Sequence, residues 1–227
     1  MSLYNLTKVN KLYVRGAEKI PIFENLNMEI PERDFVAVMG PSGSGKSTLL
    51  NLLGGIDGVS SGTIMFRDQH LEGLNQNELS GWRAKHVGFI FQFYNLMPML
   101  NAAQNVELPL LLTNLSAAER AKNVATALEV VGLEHRHKHS PKEMSGGEQQ
   151  RVAIARAIVS DPDVLLADEP TGDLDRETAN KIMEILQLLN RDLGKAIIVV
   201  THDPVICDYT KRSLHLNKGV FTEEVRP

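Results

Sequence analysis

Gly40-Pro41-Ser42-Gly43-Ser44-Gly45-Lys46-Ser47 fits the pattern G-x-x-x-x-G-K-[ST]. Glycines let the backbone bend until successive N–H groups point inward at one phosphate chain. A helix opening near Lys46 adds the positive end of its dipole. Lys46 is then placed to reach β- and γ-phosphates, Ser47 to offer a hydroxyl to Mg²⁺, and Thr48 to hold the α-phosphate. A flexible glycine turn would satisfy the same letters. The apolar run Phe35 to Met39 before the loop and the helical Lys46 to Leu53 after it favour a nucleotide site.

A second group of acids lies downstream. Val164-Leu165-Leu166-Ala167 delivers Asp168 and Glu169 at its carboxyl end. A buried strand ending in two carboxylates is costly unless they meet a cation or a reacting water. Asp168 is the candidate Mg²⁺ ligand and Glu169 the candidate group that polarises the attacking water.

The elements that position these groups read as an α/β fold. Leu26, Met28 and Ile30 alternate with Asn27 and Glu29, the period of a half-buried strand. Phe35 to Met39, Val164 to Ala167 and Ala196 to Val200 are short apolar runs suited to strands buried on both faces. Gly62 to Phe66 and Val87 to Phe91 are further strand candidates. Ala102 to Leu112, Ser116 to Val131 and Arg176 to Leu193 read as helices. Ser116 with Glu119 forms a capping box at the start of the second, and Gly132 stops it. Alternation of strand, loop and helix predicts a mainly parallel sheet with helices on both faces and ligands at the carboxyl ends of the strands. The expected organisation is one domain over 1–227. Its nucleotide-binding core spans 1–92 and 159–227, with an antiparallel β portion at the N-terminus. Residues 93–158 form an inserted α-helical subdomain.

Ser145-Gly146-Gly147-Glu148-Gln149-Gln150-Arg151 resembles the signature sequence of ATP-binding-cassette (ABC) ATPases, with Met144 in place of the usual leucine. Other segments follow in that family's order. Gln92 resembles the glutamine that touches Mg²⁺ and senses the nucleotide, and Thr171 to Asp175 resembles the D-loop. His202 resembles the switch histidine, and Tyr13 is placed like the aromatic that stacks on adenine. The resemblance covers essentially the whole chain.

It is finest toward the LolD/MacB group, the stand-alone ATPases of lipoprotein-releasing and macrolide-export systems. The segments Leu53 to Asp57, Phe91 to Pro98, Asn105 to Pro109 and Ala167 to Asp175 carry it. FtsE-like regulatory ATPases, which switch a membrane complex without transport, are the alternative. Arg33 stands where a glycine is common, Gln104 replaces a glutamate, and Asp173 an asparagine.

The resemblance implies a P-loop NTPase core and ATP hydrolysis with Mg²⁺. The implied catalytic residues are Glu169, His202, Gln92 and Lys46. The implied nucleotide contacts run from Gly40 through Pro41, Ser42, Gly43, Ser44, Gly45, Lys46 and Ser47 to Thr48. Tyr13, Gln92, Ser145, Gly146, Gly147, Glu148, Asp175 and His202 complete them, and Ser47, Gln92 and Asp168 face the metal. It also implies a head-to-tail dimer with a second copy, each ATP lying between one phosphate loop and the other copy's Ser145 to Gly147.

The expected partner is an integral-membrane permease docking near Gln92 to Met97, with Phe93, Tyr94, Leu96 and Met97 on the docking surface. Bulk properties agree with a peripheral protein on the cytoplasmic face of the inner membrane. The net charge is −4 and 43 % of residues are apolar, with no basic excess to suggest nucleic acid. No apolar run approaches the roughly 20 residues of a membrane helix, and no secretory leader is expected. The lone Cys207 fits a small buried residue in a reducing compartment.

Overall fold

The structure is a computed structural model describing residues 1–16, 18–217 and 219–225, with side chains described through 221. Two sheets are stacked. The first is antiparallel, in the order β2-β1-β4-β5: β1 Ser2–Arg15, β2 Glu18–Pro31, β4 Ser61–Phe66 and β5 Gln69–His70. The second has six strands in the order β10-β9-β3-β8-β7-β6. Strands β3 (Phe35–Met39), β6 (Val87–Phe91), β7 (Val164–Asp168), β8 (Ala196–Thr201) and β9 (Arg212–Asn217) run parallel, and β10 (Val220–Val225) pairs antiparallel with β9.

Alternation along the parallel strands divides the core in two. Ala37, Leu165, Ala167, Ile197 and Val199 pack on one face with α6 (Arg176–Arg191) and with the lobe, including its helix α5 (Gly146–Ile158). Val36, Val38, Val164, Leu166, Ile198 and Val200 pack on the other with α1 (Lys46–Leu53) and the antiparallel sheet. Both faces of the sheet are therefore covered, which is why these strands read as unbroken apolar runs rather than as alternating ones.

The Ser116–Glu119 capping box opens α4 (Ala117–Val130), and Gly132 follows it at φ +69°. The expected helix from Ala102 to Leu112 is shorter: α3 spans Ala102–Glu107, and Leu108–Leu112 is a 3₁₀ turn. Pro109 accounts for the change, because it lacks the N–H that the next α-helical bond requires. Helix α2 (Gln76–His86) has no apolar stripe and was not legible; its capping box of Asn75 and Glu78 defines it.

The departures from the family pattern have local explanations. Arg33 adopts φ +60°, the left-handed region glycine enters without strain, and its carbonyl is held by Asn190 at 2.9 Å and Lys211 at 2.7 Å. Gln104 completes a capping box with Asn101, as a glutamate would. Met144 is buried in the lobe core, filling the place of a leucine.

Candidate active site

The strand–loop–helix unit β3–α1 builds the phosphate loop. Gly45 caps α1 at φ +102°, and a Cβ there would meet Ile22 Cγ2 at 2.9 Å, so both backbone and space require glycine. At Gly40 a Cβ would strike the Leu216 carbonyl. The Lys46 ammonium donates to the carbonyls of Gly40 at 2.8 Å and Pro41 at 3.0 Å. It thus bridges across the concave side of its own loop. The buried Ser44 Oγ has no hydrogen-bond partner among the described residues, an orphan polar atom suited to an anion seated in the loop.

A cavity of about 870 Å³ opens over this loop. Ser42, Gly43, Gly45, Lys46, Ser47 and Thr48 line one side; Gln92, Asp168, Glu169 and His202 line the other. Four strand ends therefore converge here: the phosphate loop follows β3, Gln92 follows β6, Asp168 ends β7 with Glu169 after it, and His202 follows β8. The Asp168 carboxyl is pushed above its ordinary range by burial and by the neighbouring Glu169 charge, against the opposing pull of the nearby Ser47 hydroxyl and Lys46 ammonium. Gln92 Nε2 donates to Asp173 Oδ1 at 3.4 Å, so the departure at Asp173 still faces the glutamine.

Glu169 is held in an unusual conformation. Its φ is +47°, and its N–H donates to the Val200 carbonyl at 2.9 Å. Left-handed backbone at a non-glycine residue is a mark of functional sites, and nothing in the residue letter announces it. The carboxylate accepts from Thr201 Oγ1 at 3.0 Å, and its other oxygen lies 2.9 Å from His202 Nδ1. Its side chain is 15 % exposed against 71 % for His202, so the acid sits at the floor of the cavity and the imidazole at the rim.

Other expected contacts lie elsewhere. Ser145 caps α5, and Glu148 Oε2 accepts from its N–H at 2.9 Å and its hydroxyl at 3.0 Å. Gly146 and Gly147 leave no room for a Cβ beside Tyr94 and Thr178. Asp175 caps α6 by accepting from Thr178 and is exposed. Neither Ser145 to Glu148 nor Asp175 lines the cavity. Tyr13 is not among the lining residues; its hydroxyl donates to Asp57 Oδ2 at 2.7 Å and stands near the lining residue Thr48.

The segment after Gln92 divides. Phe93 is 71 % exposed and Met97 46 %, whereas Leu96 packs on the lobe core and Tyr94 lies against Gly146. A partly buried residue that sequence reasoning passed over fastens this segment: Arg156 of α5 donates to the carbonyls of Asn95 at 2.6 Å and Tyr94 at 2.8 Å.

The ABC transporter family matches residues 23–172, which span the phosphate loop, the Ser145 segment and Asp168-Glu169. The chain belongs to that family. The cassette is 45 % identical over 222 residues, 98 % of its own length and 96 % of the relative's, to the lipoprotein-releasing system ATP-binding protein LolD of Oleidesulfovibrio alaskensis. It is 43 % identical over 226 residues to the uncharacterized ABC transporter ATP-binding protein MJ0796 of Methanocaldococcus jannaschii, covering 98 % and 96 % of the two chains. A solved dimer of MJ0796 in a post-hydrolysis state, bound to ADP and Pi, superposes with a TM-score of 0.90 at 42 % identity over 99 % of both chains. The cassette is accordingly an ATP-binding ATPase subunit of the LolD-like group, with the P-loop fold of that family. Among its described residues no helix is long and apolar enough to cross a membrane.

Proposed function

We propose that this cassette is the ATP-hydrolysing motor of a membrane export or extraction system, acting as a head-to-tail pair. The observation that carries this reading is the split site. The phosphate loop, Asp168, Glu169 and His202 share one cavity, while the helix start at Ser145 does not line it. An α5 N-terminus from a second copy would supply donors to the far side of the γ-phosphate. The dimeric MJ0796 structure supports such an arrangement. Binding of ATP favours the closed pair because the nucleotide touches both copies only there.

Within the cavity, Lys46 leaves the Gly40 and Pro41 carbonyls to meet the β- and γ-phosphates. Glu169, fixed by Thr201 and His202, orients the attacking water and takes up its proton; His202 steadies both Glu169 and the γ-phosphate. The oxygen donors Ser47 and Asp168 fit Mg²⁺, with Gln92 beside them. No group of three or more His, Cys, Asp and Glu residues gathers to hold a metal among the described residues; a cation beside Ser47 and Asp168 would take its remaining ligands from the phosphates and from water. When bound, it neutralises charge on the phosphate chain.

The membrane permease is expected against the exposed Phe93 and Met97, beside Gln92, on the cytoplasmic face. The LolD relatives favour a lipid-linked cargo. Glu169→Gln tests the catalytic reading: ATP binding persists, a closed dimer accumulates, and hydrolysis falls by at least 10²-fold. Steady-state turnover near that of the unmodified chain would refute the role given to Glu169.

A further inference from the structure

Beside the nucleotide cavity lies a compact group of charged and aromatic side chains. Lys11 on β1 is only 7 % exposed, unusual for a lysine. Its ammonium meets Asp57 Oδ1 at 2.7 Å and the Gly58 carbonyl at 2.8 Å, and stands 4.6 Å from the centre of the Tyr13 ring. The Tyr13 hydroxyl donates to the other oxygen of Asp57 at 2.7 Å. Asp57 thus joins Lys11 to Tyr13, and the Gly58 N–H at 2.8 Å fixes the carboxylate in turn.

The group adjoins the phosphate-loop cavity, although none of its three residues lines it. Thr48, which lines the cavity, stands close enough to the Tyr13 hydroxyl to influence it. Ile22 lines the cavity too, from a register shift in β2 between Phe23, opposite Lys11, and Pro21, opposite Leu12. The ring is 39 % exposed, and no other aromatic ring packs on it among the described residues. One ring face is therefore occupied by an ammonium group, and the hydroxyl fixes the ring's rotation in its own plane.

We propose that Lys11 and Asp57 are positioning residues that hold Tyr13 as a one-faced platform for the base of the nucleotide, and so set a preference for ATP over pyrimidine triphosphates. The inference rests on the cavity's being an ATP site and deepens that reading. A cation behind the ring strengthens its hold by the cation–π attraction, at the cost of burying Lys11, a cost Asp57 offsets. Stacking is tolerant of base identity but scales with the overlap of the rings, so the larger purine gains more from a fixed platform.

The test is equilibrium binding and steady-state hydrolysis by the full chain with ATP and with UTP. Lys11→Met and, separately, Asp57→Asn should raise Kd and KM for ATP about fivefold, leave those for UTP within about twofold, and leave kcat unchanged. Lys11→Arg, which keeps a cation and a carboxylate partner, should restore the ATP preference. In a Tyr13→Ala background Lys11→Met should add nothing further. Equal losses with ATP and UTP, or a full additional loss without Tyr13, would overturn the proposal and leave Lys11 as a structural tie. The two possible failures are distinguishable: an unmodified chain that does not saturate with ATP defeats the site reading, whereas normal saturation with an unselective Lys11→Met defect defeats the platform alone.

Discussion

Replacing Arg156 with methionine removes the two hydrogen bonds that fasten the segment after Gln92 to α5. The acceptors belong to Tyr94 and Asn95, which adopt φ +58° and +50° in succession. Two adjacent non-glycine residues in the left-handed region are unfavourable by about 1–2 kcal/mol each, so something must hold them. Hydrogen bonds from a charged donor contribute about 1.5–3 kcal/mol each, and the Asn95 carbonyl lies toward solvent, which reduces its share. The expected loss is about 3 kcal/mol. For a chain of this size that lowers Tm by roughly 6–12 °C. Arg156→Lys, which keeps the charge and one donor direction, should recover about half of it. Calorimetry or circular-dichroism melting without nucleotide reads the effect directly. A Tm within about 1 °C of the unmodified protein would show that the segment holds its shape unaided and that the two hydrogen bonds add nothing.

Two further outcomes concern the scaffold. Asp163 is partly buried, which alone would raise its pKa, but His86 and Arg67 hold the carboxyl below its usual value. A depressed carboxylate contributes stability that is present above its unfolded pKa and is lost as pH falls through the folded one. Asp163→Asn should therefore lower Tm at neutral pH, with the two melting curves converging as the solution is acidified below about pH 4; a constant difference at every pH would exclude the ionic origin. Asn105, fully buried, accepts from the Met97 N–H at 2.7 Å and donates to the carbonyls of Met97, Leu100 and Asn101, each at 3.1 Å. Asn105→Ala strands these groups and should destabilise the fold by about 2–4 kcal/mol in urea unfolding, whereas a change under about 0.5 kcal/mol would mean that the loop re-pairs without it.

Much of the site was readable in order along the chain because its chemistry is carried by local spacing. The phosphate loop needs its glycines and Lys46 within one turn, and the apolar runs ending at Met39, Ala167 and Val200 announce parallel strands that deliver polar groups at one edge. What the letters conceal depends on approach across distance or on backbone geometry. Arg156 reads as one more polar residue on an amphipathic helix until Tyr94 and Asn95 turn their carbonyls toward it. Asp57 lies far from Tyr13 in sequence, and nothing local pairs them. The left-handed backbone at Glu169 has no glycine to betray it. The shortened α3 was legible in principle, since Pro109 forbids the continuous helix expected from Ala102 to Leu112. The mixed polarity of β1, with a buried lysine in its second half, hid a strand of 14 residues.

Mixing two inactive variants shows whether each catalytic site is shared between two copies, as proposed. Lys46→Ala spoils only the phosphate loop, and Ser145→Arg spoils only the helix start offered to the other copy. Each variant alone should be inactive, because both sites of its dimer carry a defect. In a mixed pair both defects fall in one site and the other is intact. An equal mixture should recover about a quarter of the unmodified ATPase activity, since half of the random pairs are mixed and each has one working site of two. Activity no greater than the sum of the separate variants would contradict a site built from both copies.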